Sequence, residues 1–242
     1  MQQSLICKGC WQTMRVPVVL RGVLSAPFRV VGLRPSRMNP NTCTLCELMF
    51  KRVMKATKVT MDATILFADL RAYTSLSQAL SAADMASVLD AFYDECAGAI
   101  WEFDGLLNKT IGDAVMAVFN FPIKQQDHAR QAVLAAREIQ RRCTARQAEF
   151  AELLGRTGME FGIGIGIDSG ELSFGEFGRS HRDLTAIGTV VNMASRAQSA
   201  AAAGEILVTG AVYQRVRADM PGGTAKKYQL KGFDRPVELY TA

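Results

Sequence analysis

The stretch from Ala63 to Thr74, ATILFADLRAYT, decides how the rest of the chain is read. Ile65, Leu66 and Phe67 form a short continuous apolar run, the pattern of a strand covered on both faces. Asp69 stands where that run stops. A carboxylate at the end of a buried strand must be solvated, paired or metal-bound, because isolation in an apolar setting is costly. Leu70 to Thr74 then turn into a helix start, with Ser75 and Ser77 available as caps. A strand, an acid at its tip and the N–H groups of a helix start suit a metal-bound phosphate. Many α/β proteins share that pattern, so other segments have to decide.

The 242 residues leave room for one full domain and a smaller appendage. Hydrophobic residues make up 49% and charged residues 21%, with no low-complexity segment or internal repeat, which describes a globular chain with a sizeable core. No apolar run reaches the roughly 18–20 residues that a bilayer span needs. The opening MQQSLICKGC lacks the charged-then-apolar layout of a secretory leader, so a cytoplasmic location without a membrane span is expected. A net charge of +5 suits an anionic ligand but is too modest to indicate nucleic acid, and no nucleic-acid partner is expected.

Residues 1–58 differ in character from the rest of the chain and are expected to form a small separate module, with residues 59–242 as the main domain. The module holds four of the six cysteines, as Cys7-x-x-Cys10 and Cys43-x-x-Cys46, and four of the seven prolines. The run RVPVVLRGVLSAPFRVVGL between the pairs reads as strand-rich. Two such knuckles brought together supply four thiolates for tetrahedral zinc, although their separation exceeds that of a compact zinc ribbon. Reduced cysteines in a packed module, a redox pair and an iron–sulfur site are the other readings. Cys96 and Cys143 fall in helical stretches and read as core.

In the main domain Ser81 to Asp84 resembles a capping box, and the helix behind it puts Met85, Leu89, Phe92, Cys96 and Ile100 on one stripe. FDGLLNKTIGDAVMAVFNFP reads as a hairpin with Asp113 at its turn. Asp127 caps a long helix to about Leu154, and His128 reads as a surface residue at its start. FGIGIGI alternates glycine with apolar residues, leaving one strand face open to close approach by a backbone or ligand. Glu171 to Phe177 is expected to pair back on it through Asp168-Ser-Gly170, and an irregular loop with His181 follows. LTAIGTVVNMASRAQ reads as a short strand and then a helix, with Asn192 and Arg196 on one face. Glu205 to Thr209 reads as a strand, and KKYQLKGFDRPVELYTA as a closing hairpin. The order β-α-β-β-α-β predicts an α+β, ferredoxin-like domain: an antiparallel sheet with helices on one face.

Three polar clusters sit within these apolar surroundings: Asp69; Lys109 with Asp113; and Thr185, Asn192 and Arg196. Taken singly each has a plainer reading, as a turn residue, a strand-end charge or a helix surface. In order and spacing, however, FADLRAYT, NKTIGDAVMAVF and LTAIGTVVNMASRAQ resemble the catalytic motifs of the class III nucleotidyl cyclases. YQLKGFDRPVELY is similar to that family's closing hairpin. The resemblance covers about residues 60–242.

It implies the family's cyclase fold and roles position by position. Asp69 and Asp113, with the Leu70 carbonyl, would hold two Mg²⁺ or Mn²⁺ ions, and the loop through Thr74 would cradle phosphates. Lys109 would read adenine, with Thr185 standing where its usual Asp partner falls, as in the subgroup that includes bicarbonate-responsive cyclases. Asn192 would orient the ribose, Arg196 would stabilise α-phosphate charge, and Lys231 would contact the terminal phosphates. The implied reaction is conversion of ATP to 3′,5′-cyclic AMP and pyrophosphate in a homodimer with shared sites. The alternatives are a guanylate cyclase and a catalytically silent nucleotide-binding or dimerisation domain. Two departures are noted: Ala72-Tyr73 stands where Gly-Phe is common, and Thr189 where Asp or Asn often follows the glycine.

Overall fold

The computed structural model describes residues 4–71, 73–155, 162–178, 180, 182–220 and 222–242, with 147–155 as backbone alone. Ala72 and His181 therefore lie outside the described residues. β1 (Val59–Leu70) is the central strand, flanked by β3 (Ala114–Phe119) and β4 (Ile163–Phe177), both antiparallel to it. β2 (Leu106–Ile111) extends the sheet beyond β3. On the other side come β6 (Ile206–Thr209), β8 (Val237–Thr241) and β7 (Ala225–Tyr228), while β5 (Asp183–Ile187) pairs with the far half of β4. Among the described residues only the β4–β6 pair is parallel, so the sheet is open and mostly antiparallel, as expected.

β1 alternates its side chains between two cores, as a strand must. Leu66, Ala68 and Leu70 pack beneath α5 (Ala82–Glu102), α6 (His128–Gly155) and α8 (Gly210–Val216). Ala63, Ile65 and Phe67 face the opposite layer with α7 (Thr189–Ala200). The expectation of helices on one face therefore holds for α5 and α6 and fails for α7. The reason lies in β4: a Cβ at Gly166 would overlap the Gln198 amide nitrogen and the Ala194 carbonyl, so only glycine lets α7 settle onto that face. The α5 stripe forms as read, with Met85, Phe92, Cys96 and Ile100 buried. Ser81 accepts from the Asp84 amide at its start. Cys96 and Cys143 are buried in the α5–α6 core.

Four other expectations are corrected. β4 is one continuous strand and does not turn at Asp168, because β1 pairs with it from Val59 to Leu70. The polar groups there are satisfied within the sheet: Asp168 accepts from Thr209 Oγ1 at 2.6 Å, and Ser169 Oγ from Thr64 at 2.9 Å. α4 (Tyr73–Ala79) begins before Ser75 and Ser77, which are thus inside it and do not cap it. The run from Arg15 to Leu33 contributes one isolated bridge, Ile6 with Val19, and otherwise a 3-10 turn and the short helix α2 (Ala26–Val30). Pro17, Gly22, Pro27 and Gly32 interrupt it, and no sheet edge meets it. The module's other helices are α1 (Lys8–Met14) and α3 (Thr44–Ala56).

His128 does open α6, yet it is 4% exposed. Arg215 donates to its Nε2 at 3.1 Å, which leaves Nδ1 to donate to Thr64 Oγ1 at 2.7 Å and fixes a neutral tautomer. Burial lowers its pKa; Asp62, 3.5 Å away, pulls up, while Arg215 adds to the lowering. A group with a depressed folded pKa that is neutral when deprotonated contributes stability above its unfolded value, about 6.5, and loses it below. Thermal melts between about pH 7.5 and 5.5 will therefore show a smaller fall in Tm for His128→Gln than for the wild type. An equal fall would contradict this account. Among the described residues, no helix is long and apolar enough to cross a membrane.

Candidate active site

Antiparallel pairing brings the first two acids together. Asp69 lies opposite Ala114 in the β1–β3 ladder, so the residue before Ala114, Asp113, adjoins the tip of β1. Leu70 N–H donates to the Asp113 carbonyl at 3.1 Å. Gly112, with φ of +61°, makes the tight turn that presents Asp113, and the Tyr93 hydroxyl from α5 donates to its carbonyl. Asp69 Oδ2 accepts from Gln198 Nε2 at 2.8 Å and lies 3.7 Å from Arg71 Nη1. Its Oδ1 is buried with no partner among the described residues. Burial, and then the Asp113 carboxyl, push the Asp69 pKa up to about 6, against the pull of Arg71 and Gln198. Two acids crowded in this way, one with an orphaned oxygen, fit a cation with oxygen ligands.

The second cluster sits along β2 and β5. Asn108 Nδ2 donates to the Leu184 carbonyl at 2.9 Å, holding the two strands together. Lys109 reaches across to the Asp183 carboxylate rather than to Thr185. Thr185 is two residues further along β5, on the same face, and its hydroxyl makes only a 3.5 Å contact with the Ala186 carbonyl.

The third cluster lies on α7. Val190, Ala194, Ala197 and Gln198 form its buried side against the sheet. Asn192 is exposed and Arg196 half-buried. At 3.6 residues per turn, Asn192 and Arg196 stand about 40° apart, and Gln198 about 160° round the helix from Arg196. Gln198 is the residue that touches Asp69, so Asn192 and Arg196 point away from their own chain's acids. One chain brings Asp69 to Asp113, and Lys109 to the neighbourhood of Thr185, but does not bring these to Asn192 and Arg196. Thr74 is exposed in the first turn of α4, where backbone N–H groups lack helical acceptors. Lys231 is exposed in the β7–β8 connection, between Leu230 and Phe233, which pack in one cluster with Met193 and Ala197 of α7.

Comparison with known proteins gives the family. The family model for the adenylate and guanylate cyclase catalytic domain matches residues 55–241. The chain belongs to that family. An adenylate cyclase of Anabaena cylindrica is 32% identical over 184 residues, covering 73% of this chain and 36% of the relative. Adenylate cyclase 1 of Rhizobium meliloti is 29% identical over 187 residues, covering 74% of this chain and 27% of the relative. The chain thus spans about a third of the length of these relatives. Among solved structures, the adenylyl cyclase CyaB from P. aeruginosa superposes with a TM-score of 0.68 at 28% identity, covering 76% of this chain and 95% of the other. The guanylyl cyclase Cya2 gives 0.66 at 26%, covering 76% and 92%.

Three residues of this cyclase domain escaped the sequence reading. Arg71 fills the space above Gly164 and donates to the Gln198 carbonyl. Gln198 links α7 to Asp69. Asp183 is the partner of Lys109. Signals existed for two of them. Gln198 is a polar residue on the apolar stripe of α7, and Asp183 precedes Thr185 by one strand period. Separately, the four cysteines of the N-terminal module converge, with all four sulfurs within 4.8 Å of one another.

Proposed function

We propose that the chain is an adenylate cyclase, converting ATP to 3′,5′-cyclic AMP and pyrophosphate in a homodimer with two shared sites. The observation that carries this reading is the carboxylate pair at the tip of β1, with a buried Asp69 oxygen that has no partner among the described residues. That hard-oxygen donor set suits Mg²⁺ or Mn²⁺, held by Asp69, Asp113 and the Leu70 carbonyl. Two such ions, when bound, lower the pKa of the ribose 3′-hydroxyl and neutralise the leaving pyrophosphate.

The remaining work falls to side chains that position and stabilise. First-turn N–H groups around Thr74 meet phosphate oxygens, and Lys231 the terminal phosphates. Lys109 donates to adenine N1 while the Thr185 hydroxyl accepts from the exocyclic amine. Asn192 holds the ribose so that its 3′-oxygen lies in line with the α-phosphorus. Arg196 meets the charge that grows on the α-phosphate as the new O–P bond forms and the bond to pyrophosphate breaks. Because Asn192 and Arg196 face away from their own Asp69, a second copy related by a two-fold axis supplies them, giving two equivalent sites. The relatives named adenylate cyclase support ATP as substrate. A silent domain would be free to lose these groups, and this chain keeps them all.

Base choice is the finer part of the reading. Purified protein incubated with ATP or GTP and Mn²⁺, its products separated by chromatography and weighed, will yield cyclic AMP from ATP and none with Asp113→Ala. Predominant cyclic GMP would overturn the roles of Lys109 and Thr185. Absence of either product from folded dimer would overturn the enzyme reading.

A further inference from the structure

The N-terminal module has too little core to hold itself together by burial. Its own buried cluster is Cys7, Cys10, Val18, Leu20, Cys43 and Cys46, so four of the six are cysteines, while Met54 of α3 is buried against the main domain's core instead. Val23, Leu24, Val30 and Val31 stay exposed. Small units of this kind depend on metals or disulfides. The four thiols are unbridged, with Cys7–Cys46 at 3.7 Å and Cys10 at 3.5 Å from both Cys43 and Cys46. Four sulfurs at about 2.3 Å from one tetrahedral zinc stand about 3.8 Å apart, close to these separations and well beyond the S–S bond of about 2.05 Å.

The backbone prepares the thiolates. Cys7 and Cys43 each stand at a helix N-cap, accepting from the Cys10 and Cys46 amides, and Cys7 also accepts from the Cys43 amide at 3.2 Å. A side chain at Gly9 would come within 2.9 Å of Cys46 Sγ, so the first knuckle is pared to fit. A divalent ion would hold the four sulfurs as thiolates in this enclosed space.

The same module is bolted to the root of the β2–β3 hairpin. Buried Asn39 donates to the Gly105 carbonyl at 2.8 Å, and Asn41 to the Trp101 carbonyl at 3.0 Å and to Asp104 Oδ1 at 2.8 Å. Trp101 Nε1 returns a bond to the Met38 carbonyl, and Lys8, inside the first knuckle, pairs with Asp104. At the same root, beyond the end of β3, the Phe50 ring of α3 packs against Phe121 at 5.4 Å between centroids, tilted by 58°. We propose that Cys7, Cys10, Cys43 and Cys46 hold one zinc ion, and that this ion fixes the anchor from which β2 and β3 carry Lys109 and Asp113. The second clause rests on the cyclase reading; the first does not.

The test reads metal and backbone, apart from activity. The 242-residue chain will contain about one zinc per chain by elemental analysis beyond any Mg²⁺ or Mn²⁺, and cobalt substitution will give the visible bands of a tetrahedral thiolate site. Cys43→Ser and Cys10→Ser will each lose them. Removing zinc with a chelator will raise amide exchange at residues 101–113 at least tenfold, and restoring zinc will reverse it. Asn41→Ala, which leaves the thiols intact, will keep the zinc and speed exchange at 101–105. Iron in place of zinc, or no metal in folded protein, would overturn the zinc site. Zinc present with exchange at 101–113 unchanged by its removal would overturn the anchor and leave the cyclase reading standing.

Discussion

Asp69→Ala and Arg196→Ala will each lower cyclic nucleotide formation by at least about a thousandfold without unfolding the protein. For Asp69 the proposed mechanism gives the loss as that of a metal ligand whose ions would supply several kcal/mol of charge stabilisation, at about 1.4 kcal/mol per tenfold in rate. For Arg196 the same mechanism removes the cation proposed to meet transition-state charge, an effect of about 10³ or more in phosphoryl transfer. Stability separates this account from a structural role. The Asp69 carboxylate has a buried oxygen without a partner among the described residues and a second acid beside it, and relief of that crowding offsets the loss of its bond from Gln198, so in metal-free buffer Asp69→Ala will melt close to the wild-type temperature. Arg196 points away from the sheet, so its removal will leave the melting temperature nearly unchanged. Initial rates with ATP and Mn²⁺, beside thermal melts, check both. A large fall in melting temperature for either variant would count against the assignment.

Gly166→Ala will be among the most damaging single-methyl changes in the domain. The added Cβ would overlap the backbone of α7 at Gln198 and Ala194, and backbone cannot swing aside as a side chain does. Overpacking of this kind costs about 3 kcal/mol, which lowers Tm by about 6–12 °C in a domain of this size. Displacing α7 also moves Asn192 and Arg196, and a shift of about 1 Å costs about a hundredfold in rate. Activity at 25 °C, where the variant remains folded, will thus fall further than its stability implies. Gly210→Ala is the control, because its Cβ meets only Tyr240 Cε2 at 3.9 Å. Equal, small effects of the two substitutions would contradict the close seating of α7.

Much of the fold and of the site was legible because it is local. Gly112-Asp113 announces its hairpin within six residues on either side, and the Asn192–Arg196 spacing needs only the helical repeat. The alternating glycines of β4 announced a close approach but not its occupant. Arg71 and the α7 backbone reach those glycines only through tertiary packing, Arg71 from more than 90 positions away along the β1–β4 register. The same register hides the continuity of β4, since Asp168-Ser-Gly reads as a turn until Thr64 and Thr209 are seen to satisfy it. His128 read as surface because Thr64 and Arg215, which bury it, are distant in the chain. The valine-rich run between the cysteine pairs has strand propensity without a partner edge, and propensity alone does not make a strand.

The shared site is tested most directly by mixing inactive variants. Asp69→Ala and Arg196→Ala proteins, combined in equal amounts and allowed to exchange subunits, form heterodimers as about half of all dimers, each with one intact site of two. Activity will recover to about a quarter of the wild-type rate. Exchange demonstrated by tagged subunits with no recovery would place the acids and Arg196 in a single chain's site, and would contradict the account.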